Sequence, residues 1–517
     1  MDDKTPLSGG VIMADQPPPE PPAAPPVAPA VGQTPPTTVV IPPETSTVIP
    51  ETPVNPFIPQ ATTFPSQPQG AAGQVPKGGS PLRRILMILI LALLIGGLIW
   101  GGRLVLGLVS GPKEATLVYW GLWENETVVR SVIADFEAQN PKIKVEYLKQ
   151  SPRQYRERLQ AAIGRGEGPD VFRFHNTWVA MLRAELAQTD AKIIPASILS
   201  NSFYPVVTND LGAGSAFYGI PIMIDGLGLY YNEDLLAAAG GTPPTTWPEL
   251  LELVPKLTVK NESGITTSAI ALGTANNVEH FSDIVATMLM QNGANLTELS
   301  GKEAEETLIF YRKFADPSDP VYTWNETLDN SIAAFANSRV AMIIAPSWRA
   351  FDIKNLNPNL RFKIAPIPQL PGNNVTWASY WVEGVSAKSK YQKEAWQFVK
   401  YLTSREAVTK LYTEAAKTRL FGEPYALKEL EASVAEDPYV GAYVKQAPNA
   451  RSFPLASRTF DNGINDKLIK YLEDAINGLS KGSAPSAVLQ TAGAGFRQVL
   501  GSYGLSSSKT PAAGTSP

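Results

Sequence analysis

The 517-residue chain contains no cysteine and two histidines, His175 and His280. The missing thiols exclude disulfides, thiolate zinc sites, iron–sulfur clusters, thiol nucleophiles and a lipid-modified N-terminal cysteine. Two histidines far apart in sequence give no basis for a histidine-rich metal site, and no metal or cofactor is expected. An excess of charge of one sign is missing too: 44 Lys+Arg stand against 48 Asp+Glu, a formal net of -4. Such a chain has no basic surface for nucleic acid. Proline is abundant but unevenly placed, with 21 of 46 falling in residues 1–81. That segment is Pro, Ala, Thr, Gln and Gly with few aromatics, as in QPPPEPPAAPPVAPA from Gln16 to Ala30. It carries too little apolar surface to repay its ordering entropy and is expected to be a disordered tether, partly polyproline II.

From Ile85 to Gly102 the run ILMILILALLIGGLIWGG has 18 residues without a charge, and Leu104 to Val109 extends it past Arg103. About 20 apolar residues cross the hydrocarbon core, so this run can span. Lys77, Arg83 and Arg84 precede it, and Arg103 and Lys113 follow closely. The positive-inside rule then puts the N-terminus in the cytoplasm and everything after about residue 111 outside. A cleaved signal peptide is the rival reading, since Gly107, Ser110 and Gly111 are small, but the long stretch ahead of the apolar core weighs against it. The expectation is a single-pass signal anchor in the cell membrane.

Residues 112–517 are long for one core, so two lobes are expected. Strand-like TLVYW (116–120), KVEYL (144–148) and DVFRF (170–174) alternate with helical periodicity near Val128–Gln139 and Tyr155–Ile163. This spacing predicts an α/β fold with largely parallel strands. Further along, Trp247–Leu257 reads as a helix after a Thr-Pro-Pro turn, Val340–Ala345 as a strand, and Lys393–Leu402 as an amphipathic helix.

The order of motifs over residues 115–505 resembles extracellular solute-binding protein family 1, the sugar-binding receptors of ABC importers. The stations are YWGLWENE (119–126), ADFEAQNPKIKVEY, GEGPDVFRF (166–174), YGIPIMIDGLGLYYNEDLLAAAG (218–240), PPTTWPELLELVPKLT (243–258), SRVAMIIAPSW (338–348), KIAPIPQLPG (363–372) and WVEGVSAKSKYQKEAWQFVKYLTSREA (381–407). The resemblance implies a two-lobed periplasmic-binding-protein-like fold of type II, with hinge strands crossing near Ile220–Asp225 and Ser379–Gly384. Gly219, Gly226 and Gly384 are the candidate hinge glycines. The expected organisation is a disordered tail (1–81), a transmembrane anchor (82–110), the first lobe (112–222), and the second lobe (223–380). A first-lobe return (381–428), a second-lobe C-terminal segment (429–505) and a disordered tail (506–517) follow.

A sugar needs flat aromatic faces for the C–H side of its ring and acids or amides for its hydroxyls. At the stations where the resemblance places the family's contacts, this chain offers Trp123, Glu124, Asn176, Thr177, Asp225 and Trp348; Tyr380 and Trp381 fall beside the second crossing, and His280 is a further candidate from the second lobe. Trp247 and Trp396 sit on amphipathic helix patterns and are assigned to the core, and His175 to a structural role. The segment AAKTRL around Arg419 lacks the proline of the family's passage, which leaves its role open. The expected function is a monomeric, membrane-tethered extracellular receptor that binds a sugar or oligosaccharide in the inter-lobe cleft and docks on ABC permease subunits. No catalytic residue is assigned. One alternative is a sensor or assembly factor signalling through the membrane helix. Another is a glycoside hydrolase built on a pair among Glu124, Asp225 and Glu383, which would need carboxylates about 5–10 Å apart.

Overall fold

The computed structural model describes residues 85–98 and 114–505. The expected tails 1–81 and 506–517, and residues 82–84 and 99–110 of the expected anchor, lie outside them. Residues 85–98 form a helix with exposed apolar side chains, Leu93 and Leu98 among them. Among the described residues, no helix is long and apolar enough to cross a membrane.

The first sheet starts with β1 (Ala115–Gly121), β2 (Ile143–Lys149) and β3 (Val171–His175). Helix Glu126–Gln139 links β1 to β2, and helix Tyr155–Arg165 links β2 to β3. The first helix buries Val128, Val129, Val132, Ile133 and Phe136, one apolar stripe at helical spacing. The second ends where Gly166 turns left-handed at φ 77°. Because helices carry the chain back each time, β1 pairs parallel with both β2 and β3. All five residues of β3 are buried, as suits an interior strand covered on both faces.

The second sheet contains β4 (Gly228–Asn232), β5 (Val259–Asn261), β6 (Gly264–Ile270), β7 (Val340–Ala345) and β8 (Phe362–Ala365), in the order β8-β4-β7-β6-β5. The chain then returns through β9 (Trp381–Val385), which completes the first sheet in the order β9-β3-β1-β2. The expectation of largely parallel strands needs correction. β6 and β7 are parallel, but β9 runs antiparallel to β3, and β4 antiparallel to both β7 and β8. β4 and β9 enter their sheets directly from a crossing rather than through a helix, so no crossover sets their direction, and the short link between β5 and β6 makes that pair an antiparallel hairpin.

Helix Trp247–Leu257 starts at a capping box between Thr246 and Glu249 and buries Trp247. Helix Gln392–Leu402 buries Trp396 in the same way, so both tryptophans belong to the core. The last two helices, Ile464–Ser480 and Pro485–Ser502, pack on each other and on helix Lys302–Lys313, which places them with the second sheet.

Three chain passages join the lobes. Ile220 and Glu383 exchange backbone hydrogen bonds at 3.0 Å, and Ser379 N–H donates to Asp225 O at 2.9 Å. A third passage runs alongside, with Ile224 N–H donating to Pro424 O at 2.9 Å. The hinge glycines serve close approach rather than unusual rotation. A Cβ on Gly226 would lie 2.0 Å from Trp377 O, and those on Gly219 and Gly384 would collide with Val382 and Phe174. None of the three has a left-handed φ.

Candidate ligand-binding cleft

Between the two sheets lies a cavity of about 460 Å³ whose walls come from both lobes and from the crossings. Pockets of this size at a domain boundary suit small-molecule ligands. On the first-lobe side stand Trp123 and Trp381, edge to face with ring centroids 5.6 Å apart. Trp381 also meets His175 at 5.1 Å and the buried Trp178 at 5.3 Å, so its plane is held by three rings. On the second-lobe side, β7 is followed by Pro346–Ser347–Trp348, which brings Trp348 to the wall half-buried. The Arg349 guanidinium lies over the Trp348 ring at 4.1 Å, and the His280 ring meets it edge-on at 5.6 Å. Phe460, 39 % exposed, adds an aromatic face from the C-terminal segment.

Asp225 forms the floor at the first crossing. Its carboxylate accepts from Gly226 N–H at 2.8 Å, Ser347 N–H at 3.2 Å and Ser347 Oγ–H at 2.9 Å. Burial nevertheless pushes its pKa up to about 7. Asp283, also in the wall, accepts from Trp377 Nε1–H at 3.0 Å and Ser457 N–H at 3.1 Å, and burial lifts it to about 6. His175 is pushed down to about 3 by burial and is neutral. Thr177 N–H points at its Nδ1 at 3.4 Å, which leaves the ring proton on Nε2, 3.1 Å from Ser379 Oγ. His280 is likewise held neutral by burial and by the neighbouring Arg349. Arg349 Nε–H donates to His280 Nε2 at 2.9 Å, so Nδ1–H donates to Ser457 Oγ at 2.6 Å.

The wall cations are spoken for. Arg349 pairs with Glu279 at 2.6 Å and Asp352 at 2.7 Å, Arg458 pairs with Glu279, and Arg419 pairs with Glu423 at 2.7 Å. Two buried polar atoms of wall residues, however, have no hydrogen-bond partner among the described residues: Arg419 Nε and Thr459 Oγ1. Unpaired buried polar atoms are uncommon in folded proteins, and both of these belong to residues of the cavity wall. No group of three or more potential metal-ligating side chains occurs among the described residues.

Comparison with known proteins fits this geometry. Residues 131–429, more than half the chain, match the family model described as bacterial extracellular solute-binding protein. The chain belongs to the bacterial extracellular solute-binding proteins. It is 26 % identical over 331 residues to the multiple sugar-binding protein of Streptococcus mutans, covering 62 % of this chain and 77 % of that one. It is 29 % identical over 204 residues to the putative ABC transporter periplasmic-binding protein YcjN of Escherichia coli, covering 37 % of this chain and 45 % of that one. Among solved structures, a cyclo/maltodextrin-binding protein complexed with maltotetraose superposes with a TM-score of 0.62 at 21 % identity, covering 76 % of this chain and 98 % of the other.

Within this solute-binding protein the sequence-predicted residues separate into two groups. Trp123, Asp225, Trp348 and Trp381 line the cavity, and His280 stands directly behind Trp348 and Arg349. Four others need correction. Glu124 is turned into the first lobe, where Arg173 bonds it at 2.5 and 2.6 Å. Asn176 and Tyr380 both donate to Asp210 at 2.8 Å on the far side of the wall. Thr177 lies beside His175, its Oγ1 2.8 Å from Nδ1, and outside the lining. His175, assigned to a structural role, borders the cavity while its ring nitrogens bond Thr177 and Ser379 within the protein. Sequence reasoning missed Asp283, Arg349 and the segment Ser457–Phe460, and left Arg419 open. Arg349 follows Trp348 directly and was legible there; the C-terminal segment carries no comparable motif.

The carboxylates proposed for glycoside hydrolysis do not form a usable pair. Arg173 holds Glu124 and Glu383 together inside the first lobe, with Glu383 at 2.6 Å and both side chains almost fully buried. Asp225 lines the cavity without either of them.

Proposed function

We propose that this chain is the extracellular substrate receptor of an ABC importer and binds a sugar or oligosaccharide in the cleft. The observation that carries this reading is the pair of aromatic walls, Trp123 with Trp381 on one lobe and Trp348 on the other, facing one cavity. Each indole can cover the C–H face of a sugar ring, while Arg419 Nε, Thr459 Oγ1 and Asp225 meet hydroxyls. A ligand that touches both walls binds the closed arrangement better than an open one and shifts the equilibrium by that difference. The names of the relatives, which bind sugars or serve ABC transport, support the same reading. The uncharged run Ile85–Gly102 supports a membrane tether that holds the receptor near its permease. No bond is made or broken in this function.

Thermal unfolding of the full-length chain with a panel of mono- and oligosaccharides, amino acids and polyamines tests it. A carbohydrate at one hundred times its dissociation constant adds about 2.7 kcal/mol and raises the midpoint in proportion to the logarithm of concentration. A response to amino acids or polyamines but to no carbohydrate would overturn the sugar assignment.

A further inference from the structure

The segment after residue 456 does something the receptor reading alone does not require. Ser457, Arg458, Thr459 and Phe460 line the cavity from the second-lobe side. Within five residues, Arg458, Phe460 and Asn462 have φ of 61°, 54° and 43°. Asparagine tolerates the left-handed region, but arginine and phenylalanine rarely enter it unless their surroundings hold them there.

Those surroundings include the first lobe. Asp461 is fully buried, and its carboxylate caps the start of helix Ile464–Ser480 by accepting from Gly463 N–H at 2.9 Å and Asn465 N–H at 3.0 Å. Its backbone oxygen accepts from Arg156 Nε–H of the first lobe at 2.6 Å. Four residues on, Asn465 Nδ2–H donates to Thr177 Oγ1 at 2.7 Å. Thr177 in turn lies 2.8 Å from His175 Nδ1, and His175 Nε2 lies 3.1 Å from Ser379 Oγ on the second crossing. A chain of hydrogen bonds therefore runs from a second-lobe helix, through a first-lobe catch, to a cavity wall and a hinge strand. The body of that helix stays packed on the second lobe, so separating the lobes must break both first-lobe contacts.

We infer that residues 457–465 form a clasp that fastens the second lobe to the first through Arg156 and Thr177 without help from a ligand, and that it presents Thr459 Oγ1 to a ligand hydroxyl. The clasp explains why Thr177 was in the right neighbourhood but is not a ligand contact. It also explains the strained backbone, since the two catches and the cap over-determine the path between them. The Thr459 contact rests on the receptor reading; the clasp does not.

The chain has no cysteine, so two introduced ones are its only thiols. Ala138→Cys and Lys302→Cys, both at exposed positions on opposite lobes, accept spin labels, and pulsed electron resonance reads the distance between them in the full-length chain. Without ligand the distribution is expected to be dominated by one short distance. Arg156→Ala combined with Thr177→Val should move most of that population to longer distances, and Arg156→Lys should retain part of it. Unchanged far-UV circular dichroism and a cooperative thermal transition in the catch variants exclude misfolding as the cause. An unliganded chain that is already broad and long, or catch variants with an unchanged distribution, would overturn the clasp. With maltotetraose as the probe, Thr459→Val should weaken binding about tenfold; equal affinity would remove the Thr459 contact. A long distance that maltotetraose shortens sinks the clasp and leaves the receptor reading intact. A short distance with no binding of maltotetraose leaves the clasp standing and counts against the reading and the Thr459 contact together.

Discussion

Asp225 sits at the first crossing with three donors on its carboxylate, yet burial raises its pKa to about 7. The ordinary value in an unfolded chain is about 3.9. The folded state therefore holds this proton more tightly, and stability from this group is fully present below about pH 4. It is lost as pH rises toward 7, a change on the order of 4 kcal/mol at most. Asp225→Asn should flatten that part of the pH–stability curve, so that the variant gains on the wild type between pH 4 and pH 7 in urea unfolding. A difference that stays constant across this range would contradict the account. Trp348 makes the complementary prediction for binding. It is half-buried and braced by Arg349 and His280 rather than by the core, so Trp348→Ala should leave the unliganded midpoint nearly unchanged. Its loss should weaken carbohydrate binding by about 2 kcal/mol or more, some thirtyfold, as for aromatic anchors in other interfaces. Titration calorimetry on both forms reads that difference.

At the scale of strands, β3 and β9 are joined by a buried charge cluster. Arg173 on β3 bonds Glu383 on β9 and Glu124 in the loop after β1, and all three are almost fully buried. Arg173 draws Glu124 below the usual carboxylate range, whereas burial raises Glu383, whose Oε2 has no partner among the described residues. Arg173→Leu would leave two carboxylates facing each other in the interior and should cost about 3–5 kcal/mol. Glu383→Gln keeps Arg173 paired with Glu124 and should cost far less, a contrast that urea midpoints can establish. This cluster also shows where the sequence could be read and where it could not. Helix Trp247–Leu257 and strand Val340–Ala345 follow from local spacing and a capping signal, and both occur as expected. Trp381 and Tyr380 are adjacent in extended backbone, so when one faces the cavity the other must face away, and Tyr380 goes to Asp210. In the bend after β1, Glu124 turns inward to Arg173 while its neighbour Trp123 lines the wall. Motif position singled out these neighbourhoods but could not say which of two neighbours faces the cavity. The directions of β4 and β9 were equally hidden, because they depend on which end of the sheet a crossing reaches and not on any residue within the strand.

For the molecule as a whole, the two sheets and three passages make a cleft whose walls are separated by hundreds of residues in sequence. Trp123 and Phe460 are the plainest case, the first legible from a family station and the second from nothing local. The passages themselves tolerate little change. Gly226→Ala would drive a Cβ against Trp377 O, so the crossing strands would have to part, and the variant should unfold at a clearly lower midpoint. The central claim, that the cleft captures a carbohydrate and releases it unaltered, is tested most directly by calorimetry. Maltotriose, maltotetraose, glucose, an amino-acid mixture and spermidine are titrated into the full-length chain, and the carbohydrate is then recovered for chemical analysis. The account predicts saturable one-site binding of at least one carbohydrate, abolished or sharply weakened by Trp348→Ala, with the sugar recovered intact. Binding of only the amino acids or spermidine, or recovery of a cleaved sugar, would contradict it.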